Sequence, residues 1–402
     1  MCLEIPKKLR PLVDQARQVG EYVFRPISRK YDTAEHEYPK ELDILASLLK
    51  GMNEGGGGTG AGAGGLSEKK KADGKNRNGG NMATVLGMTE LCWGDVGLSL
   101  TIPGQGLGNS AISAVGSAEQ RKRFGHLWAA MAITEPEAGS DPSAVRTTAR
   151  LDGDQWVLDG EKIFVTCGER ADAVVAWATL DRSQGRAAIK SFVVEKGTPG
   201  MVVDRLDKKL GIRASDTATV SFTDCRIPKD NILGSPDIKP KRGLSGAKKT
   251  FDNTRPIVAA MAIGVARASL ELTRELLKRD GIVATSYAGT QLTAHAAEAE
   301  LYRMEAELEA ARLLTVKAAW MADNKIPNSV EASMSKAKAA RVGNHITLRC
   351  VELCGAAGYG ERQLLEKWAR DSKILDIFEG TQQIQMLIIA RRLLEKPSAD
   401  LR

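Results

Sequence analysis

The chain has 402 residues, of which 43% are hydrophobic and 27% are charged, and its formal net charge is +7. This composition is typical of an ordinary soluble globular protein. No apolar run approaches the eighteen residues that a membrane span needs, and the first residues, MCLEIPKKLRPLVDQ, lack the apolar core and cleavage site of a signal peptide. The length predicts two or three subdomains around a shared centre.

Cysteine usage and charge narrow the possible partners. Six scattered cysteines argue against a disulfide framework and suit a reducing compartment, so we predict a cytoplasmic protein. A positive net charge favours an anionic partner such as nucleic acid, a nucleotide cofactor or a phosphorylated carrier. The only dense basic run, from Lys69 to Arg77, lies in a glycine-rich tract without aromatic residues, which favours a solvated loop over a nucleic-acid surface.

Residues 1–130 are predicted to form a helical domain. Residues 51–80 interrupt it with a glycine-rich tract that is too poor in apolar residues to pack, and we predict a loop there. Its Gly-x-Gly-x-x-Gly match to the dinucleotide fingerprint follows no strand and precedes no helical pattern, so we attribute the match to low complexity. Apolar residues recur at helical spacing on both the first and the second stretch: Leu9, Leu12, Val13 and Ala16, then Leu42, Leu45 and Leu49.

Residues 131–245 are predicted to form a middle β domain. Between Thr147 and Phe222 the hydrophobic period changes to two. The stretch TTARLDGDQWVLDGEKIFVT contains two Asp-Gly pairs between runs of β-forming residues, which is typical of hairpin turns. These features predict a small antiparallel barrel or sandwich.

Residues 246–402 are predicted to be helical, with long helices near 256–279, 290–322, 328–354 and 382–395. Pro256 suits the first turn of one helix with Asn253 or Thr254 as its cap, and Asn328 with Glu331 resembles a capping box. Four long helices predict a bundle. The succession of helices, strands and helices indicates an α+β fold and argues against a doubly wound nucleotide fold.

Metal and nucleophile chemistry find little support in the sequence. The four histidines lie far apart and form no ligand pattern, and no G-x-S-x-G elbow is present. Cys350 and Cys354 share one helix face but lack further ligands, so we interpret them as packed thiols. We predict no metal site.

The segment MAITEPEAGSD, residues 131–141, is the first candidate for a binding site. Its proline, glycine and acidic residues predict a loop with several free backbone N–H groups at the entry to the β domain. Such a loop can bind an anion or the polar edge of an aromatic ring. A tight connector between domains is the alternative, and spacing alone leaves both open.

The segment DIFEGTQQIQ holds the second candidate, Glu379. The helix before it must break near Gly380, and Thr381 can cap the helix that follows. A carboxylate at such a kink can project into an apolar cavity, where burial raises its pKa and suits it to act as a general base. A surface glutamate at a helix end is the alternative.

Taken together, these segments resemble the acyl-CoA dehydrogenase family over essentially the whole chain outside residues 51–80. The matching stretches are MAITEPEAGSD, DGEKIFVTCG, KLGIRASDTATVSFTDCRIPKDNIL, FDNTRPIVAAMAIG and DIFEGTQQIQ. The resemblance implies a helical N-terminal domain, a middle β domain and a C-terminal four-helix bundle. It also implies that FAD binds where the three meet.

The resemblance also assigns roles to individual positions. Glu379 matches the catalytic base, and Ser140, Asp252 and Arg255 match positions near the CoA portion of the substrate. Positions that match flavin contacts are Met131, Ile133, Thr134, Gly139, Ser140, Phe164, Val165, Thr166, Thr381 and Gln383.

In the implied reaction Glu379 removes the α-proton of an acyl-CoA thioester while the β-hydrogen leaves as hydride to flavin N5, giving a trans-2-enoyl-CoA. By family analogy, the flavin ribityl hydroxyl and the Glu379 backbone N–H polarise the thioester carbonyl. An electron-transfer flavoprotein then receives the electrons, as in fatty acid β-oxidation. Flavin monooxygenases and oxidases on the same fold are an alternative, and a DNA-binding subunit is a further one. Straight-chain, branched and sterol side-chain thioesters all remain open as substrates.

Two departures from the family pattern bear on the oligomer. The family's Arg-x-x-Phe-Gly motif, used against the FAD of a neighbouring subunit, is replaced here by a segment in which Arg279 is followed by Asp280. Glu352 stands where the family has glutamine, and an unpaired carboxylate beside a pyrophosphate weakens binding. We therefore predict either a homo-tetramer or a hetero-oligomer in which a related subunit supplies these contacts.

Overall fold

The computed structural model describes residues 4–54, 77–104, 106–238, 245–282 and 295–396, without the side chains of 48–54 and 245–253. The glycine-rich match and most of the basic run lie outside these residues. The order of helices, strands and helices is as predicted. The structure is therefore an α+β fold of three parts.

The N-terminal part is helical, and its close helix crossings depend on glycine. Gly20, in a π-helical turn at Gly20–Phe24, lies against Gly94, and a Cβ on Gly94 would come within 2.5 Å of the Gly20 Cα atom. Both helices predicted from apolar spacing are present. The helices are α1 (Arg10–Val19), α2 (Arg25–Thr33), α3 (Glu41–Glu54), α4 (Gly80–Gly94), α5 (Val96–Ser99), α6 (Leu107–Val115) and α7 (Ala118–Phe124).

The middle part is a seven-stranded sheet in the order β1-β4-β2-β3-β7-β6, with β5 also paired to β4. Most described strand pairs are antiparallel, as predicted, but β4 runs parallel to both β1 and β2, so the sheet is mixed. Periodicity could not predict this, because it reports which face a residue occupies and not which strand lies beside it. The strands are β1 (Ala129–Ala132), β2 (Thr148–Asp152), β3 (Gln155–Thr166), β4 (Ala173–Thr179), β5 (Ile189–Glu195), β6 (Met201–Leu206) and β7 (Thr217–Pro228).

The two Asp-Gly pairs have different outcomes. Gly153 has a φ of 64° and lies in the turn between β2 and β3, as predicted. The prediction of a second turn at Gly160 is wrong, because this residue lies inside β3 at a register shift against β7. A Cβ on Gly160 would lie 2.5 Å from Thr147 Oγ1. The glycine therefore allows a bulged strand to pass close to the chain before β2.

The C-terminal part contains the four predicted long helices, of which α8 starts earlier than predicted. Because α8 begins at Ser245, Pro256 lies inside the helix, and its predicted place in a first turn is wrong. The predicted capping box at Asn328 is also wrong, since the Asn328 side-chain amide instead donates to the Ala318 carbonyl at 3.0 Å. The helices are α8 (Ser245–Arg279), α9 (Ala296–Asp323), α10 (Ser329–Leu353), α11 (Gly355–Tyr359), α12 (Leu365–Ser372) and α13 (Gln382–Leu393).

Helix α8 forms the centre of the largest core, where it packs against α4, α9, α10 and α12. Its segment Thr254–Arg279 is long and apolar enough to cross a membrane, but 78% of the most apolar window is buried inside the protein. This is how the core helix of a bundle behaves. The same helix brings its Thr254 end to the bend between α12 and α13.

Candidate active site

The bend between α12 and α13 contains two successive residues in the left-handed region, Glu379 with a φ of 58° and Gly380 with a φ of 89°. Glycine adopts this conformation freely, whereas a glutamate there costs about 1 kcal/mol or more and must be held by its surroundings. After the bend, Thr381 caps α13 by accepting a hydrogen bond from the Ile384 N–H at 3.4 Å. The predicted break and cap are therefore both present.

Two buried side chains hold the carbonyl groups of this bend. The Gln385 side-chain amide donates to the carbonyls of Glu379, at 3.2 Å, and of Gly380, at 2.9 Å. Lys336 reaches across from α10, and its ammonium donates to the same Gly380 carbonyl at 2.8 Å. The unusual backbone at Glu379 is thus fixed by hydrogen bonds from two different helices.

The Glu379 carboxylate is directed to the N-terminal end of the apolar segment of α8. The Thr254 hydroxyl donates to Glu379 Oε2 at 2.8 Å. Burial raises the pKa of Glu379, while the Thr254 hydrogen bond and then the positive charges of Arg255 and Lys336 act in the opposite direction. The residue keeps part of its surface accessible. A partly accessible carboxylate with a raised pKa can accept a proton from a bound ligand.

The two cations near Glu379 are themselves buried. Arg255 donates from Nη1 to the Ser333 hydroxyl at 3.4 Å, and Lys336 is fully buried. Burial lowers the pKa of Lys336 to about 8, which the negative charges of Asp376 and Glu379 only partly oppose. The bend therefore combines one carboxylate with two cations in a setting of low polarity.

The loop at residues 133–141 is fixed to the sheet by a buried carboxylate. Glu135 accepts hydrogen bonds from the backbone N–H groups of Arg146 (2.6 Å) and Thr147 (3.0 Å) and from the Thr147 hydroxyl (2.6 Å). It also binds the buried Lys162 ammonium at 2.6 Å, and the Thr134 carbonyl accepts from the Ile163 N–H at 2.9 Å. These bonds join the loop to β3.

Strand β3 presents an aromatic side chain beside this loop. Phe164 has a φ of 58° and lies at the register shift between Lys162 and Val165. Its side chain is 62% exposed, whereas the adjacent Val165 is fully buried. A large apolar ring held outward in a strained conformation is a surface suited to a flat aromatic ligand.

The remaining predicted positions lie near these two groups. Met131 and Ile133 are partly buried at the start of the loop, and Gly139 and Ser140 are exposed at its end. Thr166 is partly buried at the end of β3, and Gln383 is exposed in the first turn of α13. The side chain of Asp252 lies outside the described residues.

Sequence reasoning missed Thr254, Lys336 and Gln385 as surroundings of Glu379. Thr254 was considered only as a helix cap. A signal for Lys336 was available, since it lies one helical turn from each of Ala332 and Ala340, both of which are buried. A lysine at the spacing of core residues indicates a buried charge with a specific task.

The cysteines and the residues that depart from the family pattern can also be located. Cys350 is buried, which raises the pKa of its thiol to about 12. No group of metal-binding side chains occurs among the residues that the structure describes. Glu352 is exposed and forms an ion pair with Arg349, so its carboxylate is not unpaired as we had assumed, and Arg279 is exposed at the end of α8.

Comparisons with known proteins cover nearly the whole chain. Three family models match: acyl-CoA dehydrogenase N-terminal domain over residues 6–131, middle domain over 130–225 and C-terminal domain over 241–394. The short-chain specific acyl-CoA dehydrogenase of Bos taurus mitochondria is 34% identical, over 98% of this chain and 92% of its own.

Solved structures agree with these matches. Butyryl-CoA dehydrogenase from Megasphaera elsdenii has a TM-score of 0.83 and 29% identity, over 98% of this chain and all of the other. A glutaryl-CoA dehydrogenase from Mycobacterium smegmatis in complex with FADH2 has a TM-score of 0.79 and 25% identity, over 98% of this chain and 96% of the other.

Proposed function

The chain belongs to the acyl-CoA dehydrogenase family, and from this premise we propose that it desaturates an acyl-CoA thioester with Glu379 as the base that removes the α-proton. It is thus an FAD-dependent oxidoreductase that acts on a CH–CH bond. The observation that supports the assignment of Glu379 is its position: a carboxylate held in a left-handed bend, directed at α8 and raised in pKa by burial.

The residues of the sheet fit a bound flavin. The exposed Phe164 ring and the adjacent loop at residues 133–141 offer an aromatic surface and backbone polar groups to a flat ring with a polar edge. We assign Thr134, Phe164 and Thr166 to this surface, with Thr381 and Gln383 approaching from α13. When bound, FAD supplies the acceptor for the two electrons that the substrate loses.

Glu379 combines two properties that the proton transfer needs. Burial raises its pKa towards that of a useful base, while the Thr254 hydroxyl fixes one of its oxygens. Among the described residues, the backbone N–H of Glu379 donates to no protein group. This N–H is therefore available to a thioester carbonyl, where it would stabilise the negative charge that develops on the oxygen.

Positions near the bend favour an anionic substrate. Arg255 is buried one residue after Thr254 and places a permanent positive charge near Glu379. We assign it, with Ser140 and Asp252, to the CoA side of the site. The relatives named for short chains make butyryl-CoA the first substrate to test.

We further propose a cytoplasmic enzyme that passes electrons to an electron-transfer flavoprotein and works as an oligomer. Exposed apolar side chains on and after α13 support an interface between subunits there: Met386, Leu387, Leu393 and Leu394. Because Arg279 lacks the family's Phe-Gly context, a related second subunit remains our preferred partner. Purification alone and with a co-encoded relative tests this, and full FAD content and turnover of the isolated chain would reject it.

The test of the main proposal is anaerobic reduction of the bound flavin by butyryl-CoA and a panel of longer and branched thioesters. We expect Glu379→Gln to slow this reduction by about 10³- to 10⁴-fold, the contribution typical of a general base at the upper end of its range. Glu395→Gln is the matched control, since Glu395 is also left-handed (φ 54°) but exposed beyond α13. An undiminished rate in Glu379→Gln would refute the assignment.

A further inference from the structure

Lys336 is a buried charge without the usual compensation. Its side chain has no solvent exposure, and its one hydrogen bond among the described residues goes to the neutral Gly380 carbonyl. No carboxylate of the described chain lies within ion-pair distance of its ammonium. Buried lysines are normally paired, because removing an ammonium from water costs several kcal/mol. A less costly side chain could fill the same space, so the charge itself requires an explanation.

The position of Lys336 connects it to both the backbone and the carboxylate of the bend. The carbonyl that it binds belongs to Gly380, the residue directly after Glu379 in the left-handed turn. Gln385 binds the same carbonyl from within α13, so the two donors hold it from opposite helices. Fixing this peptide group fixes the direction in which the Glu379 side chain leaves the backbone.

We infer that Lys336 is a positioning residue for the reaction: it holds the left-handed bend that directs Glu379, and its charge keeps the Glu379 carboxylate ionised in a buried site. This inference rests on the proposed role of Glu379 as the base. It assigns to Lys336 no contact with the substrate.

The other charges that face Glu379 make the contribution of Lys336 separable. Arg255, on α8, supplies a second positive charge, and Asp376, on the segment before the bend, is a negative charge that faces Lys336. Thr254 supplies a hydroxyl without charge. Removing Lys336 therefore leaves one cation near Glu379, and we expect the carboxylate to become easier to protonate without becoming neutral at every pH.

The experiment uses the FAD-loaded enzyme and follows flavin reduction by butyryl-CoA as a function of pH. In Lys336→Met, we expect the acid limb of the rate profile to move up by about one pH unit and the rate at pH 7 to fall about tenfold or more. The KM should change little, because the side chain is not in contact with substrate. Lys338→Met is the matched control on the same helix, where the lysine pairs with Glu307 and points away from the bend.

Two further variants separate the hydrogen bond from the charge. Lys336→Gln keeps an N–H donor for the Gly380 carbonyl but no charge, so it should shift the pH profile with a smaller loss of maximal rate than Lys336→Met. Lys336→Arg keeps the charge and should retain the acid limb of the native enzyme. The infrared band of the protonated carboxyl, identified by its loss in Glu379→Gln, should titrate at higher pH in the Met and Gln variants.

The outcomes distinguish this inference from the proposed function. If Lys336→Met leaves the pH profile and the infrared titration unchanged while Glu379→Gln is inactive, the inference is wrong and the proposed function stands. If Glu379→Gln is fully active, the proposed function fails first. If all three Lys336 variants fail to fold, the residue has a purely structural role, and the inference is overturned.

Discussion

Two lysines are buried in the helical C-terminal part, and they differ in their surroundings. The Lys367 ammonium, on α12, contacts Asp95 at 2.7 Å and Asp371 at 2.5 Å. Lys336, on α10, has only a carbonyl partner within hydrogen-bond distance. Although burial opposes it, the two carboxylates raise the pKa of Lys367, whereas burial lowers the pKa of Lys336 to about 8. The same residue type thus has opposite pKa shifts in one core.

The Lys367 cluster joins all three parts of the molecule. Asp95 caps α5 by accepting from the Leu98 N–H at 2.8 Å and also binds the Ser28 hydroxyl. Asp371 accepts from the Ile212 N–H, which lies between β6 and β7, at 2.5 Å. Burial and the neighbouring Asp95 carboxylate raise the pKa of Asp371, because two acids share one ammonium.

The difference shows how burial is used for two purposes. Around Lys367 nearly every polar atom has a partner, which is the arrangement that stabilises a fold. Around Glu379 the backbone is strained, the carboxylate keeps some exposure and the nearby cations lack close carboxylates, which is the arrangement expected of a reactive site. Mutations in the two regions should therefore affect different properties.

The largest expected effect on stability is that of Lys367→Met. It leaves Asp95 and Asp371 buried without their cation, and breaking such a group costs about 3–5 kcal/mol in the free energy of unfolding. Denaturation in urea at pH 7.5 measures this. Lys373→Met, an exposed lysine in the segment after α12, is the control and should change stability by less than about 0.5 kcal/mol. Similar losses in Lys367→Met and Lys336→Met would remove the contrast drawn here.

The pH dependence of stability provides a second, smaller effect. Because the folded pKa of Lys336 is lowered from 10.5 to about 8, the native state releases a proton that the unfolded state keeps. Lys336 therefore makes stability rise as pH increases from about 8 to 10.5, by an amount on the order of 2 kcal/mol. Thermal or urea unfolding at several pH values should show a smaller rise in Lys336→Met.

Lys162, whose pKa burial also lowers to about 8, contributes equally to both proteins, so the difference between their curves isolates Lys336. Parallel curves for the two proteins across this window would contradict the pKa shift.

The smallest expected effect compares two helix caps. Ser117 caps α7 with a hydrogen bond from Gln120 at 3.1 Å, and Thr381 caps α13 with a longer one, at 3.4 Å. Each alanine variant should lose about 0.5–1 kcal/mol of stability. Only Thr381→Ala should also slow flavin reduction, because Thr381 follows directly after the bend. Equal kinetics in both variants would indicate that the cap has no influence on Glu379.

Local chemistry accounts for the features that could be predicted from the sequence. The break near Gly380, the cap at Thr381 and the turn at Gly153 follow from residues adjacent in the chain. The second Asp-Gly pair failed as a turn signal because contact with Thr147 decides the conformation of Gly160. The surroundings of Glu379 were missed for a similar reason, since Thr254 and Lys336 come from other helices. Tertiary contacts of this kind have no local signature.

The Asp371 carboxylate has a consequence for how the molecule opens. One of its oxygens binds a backbone amide beside the sheet and the other binds the Lys367 ammonium, which in turn contacts the N-terminal Asp95. No one of the three parts can separate without exposing this charge cluster to a rearrangement of the other two. Their unfolding should accordingly be a single cooperative transition, in which the Ile212 amide proton exchanges with solvent only when the whole chain unfolds.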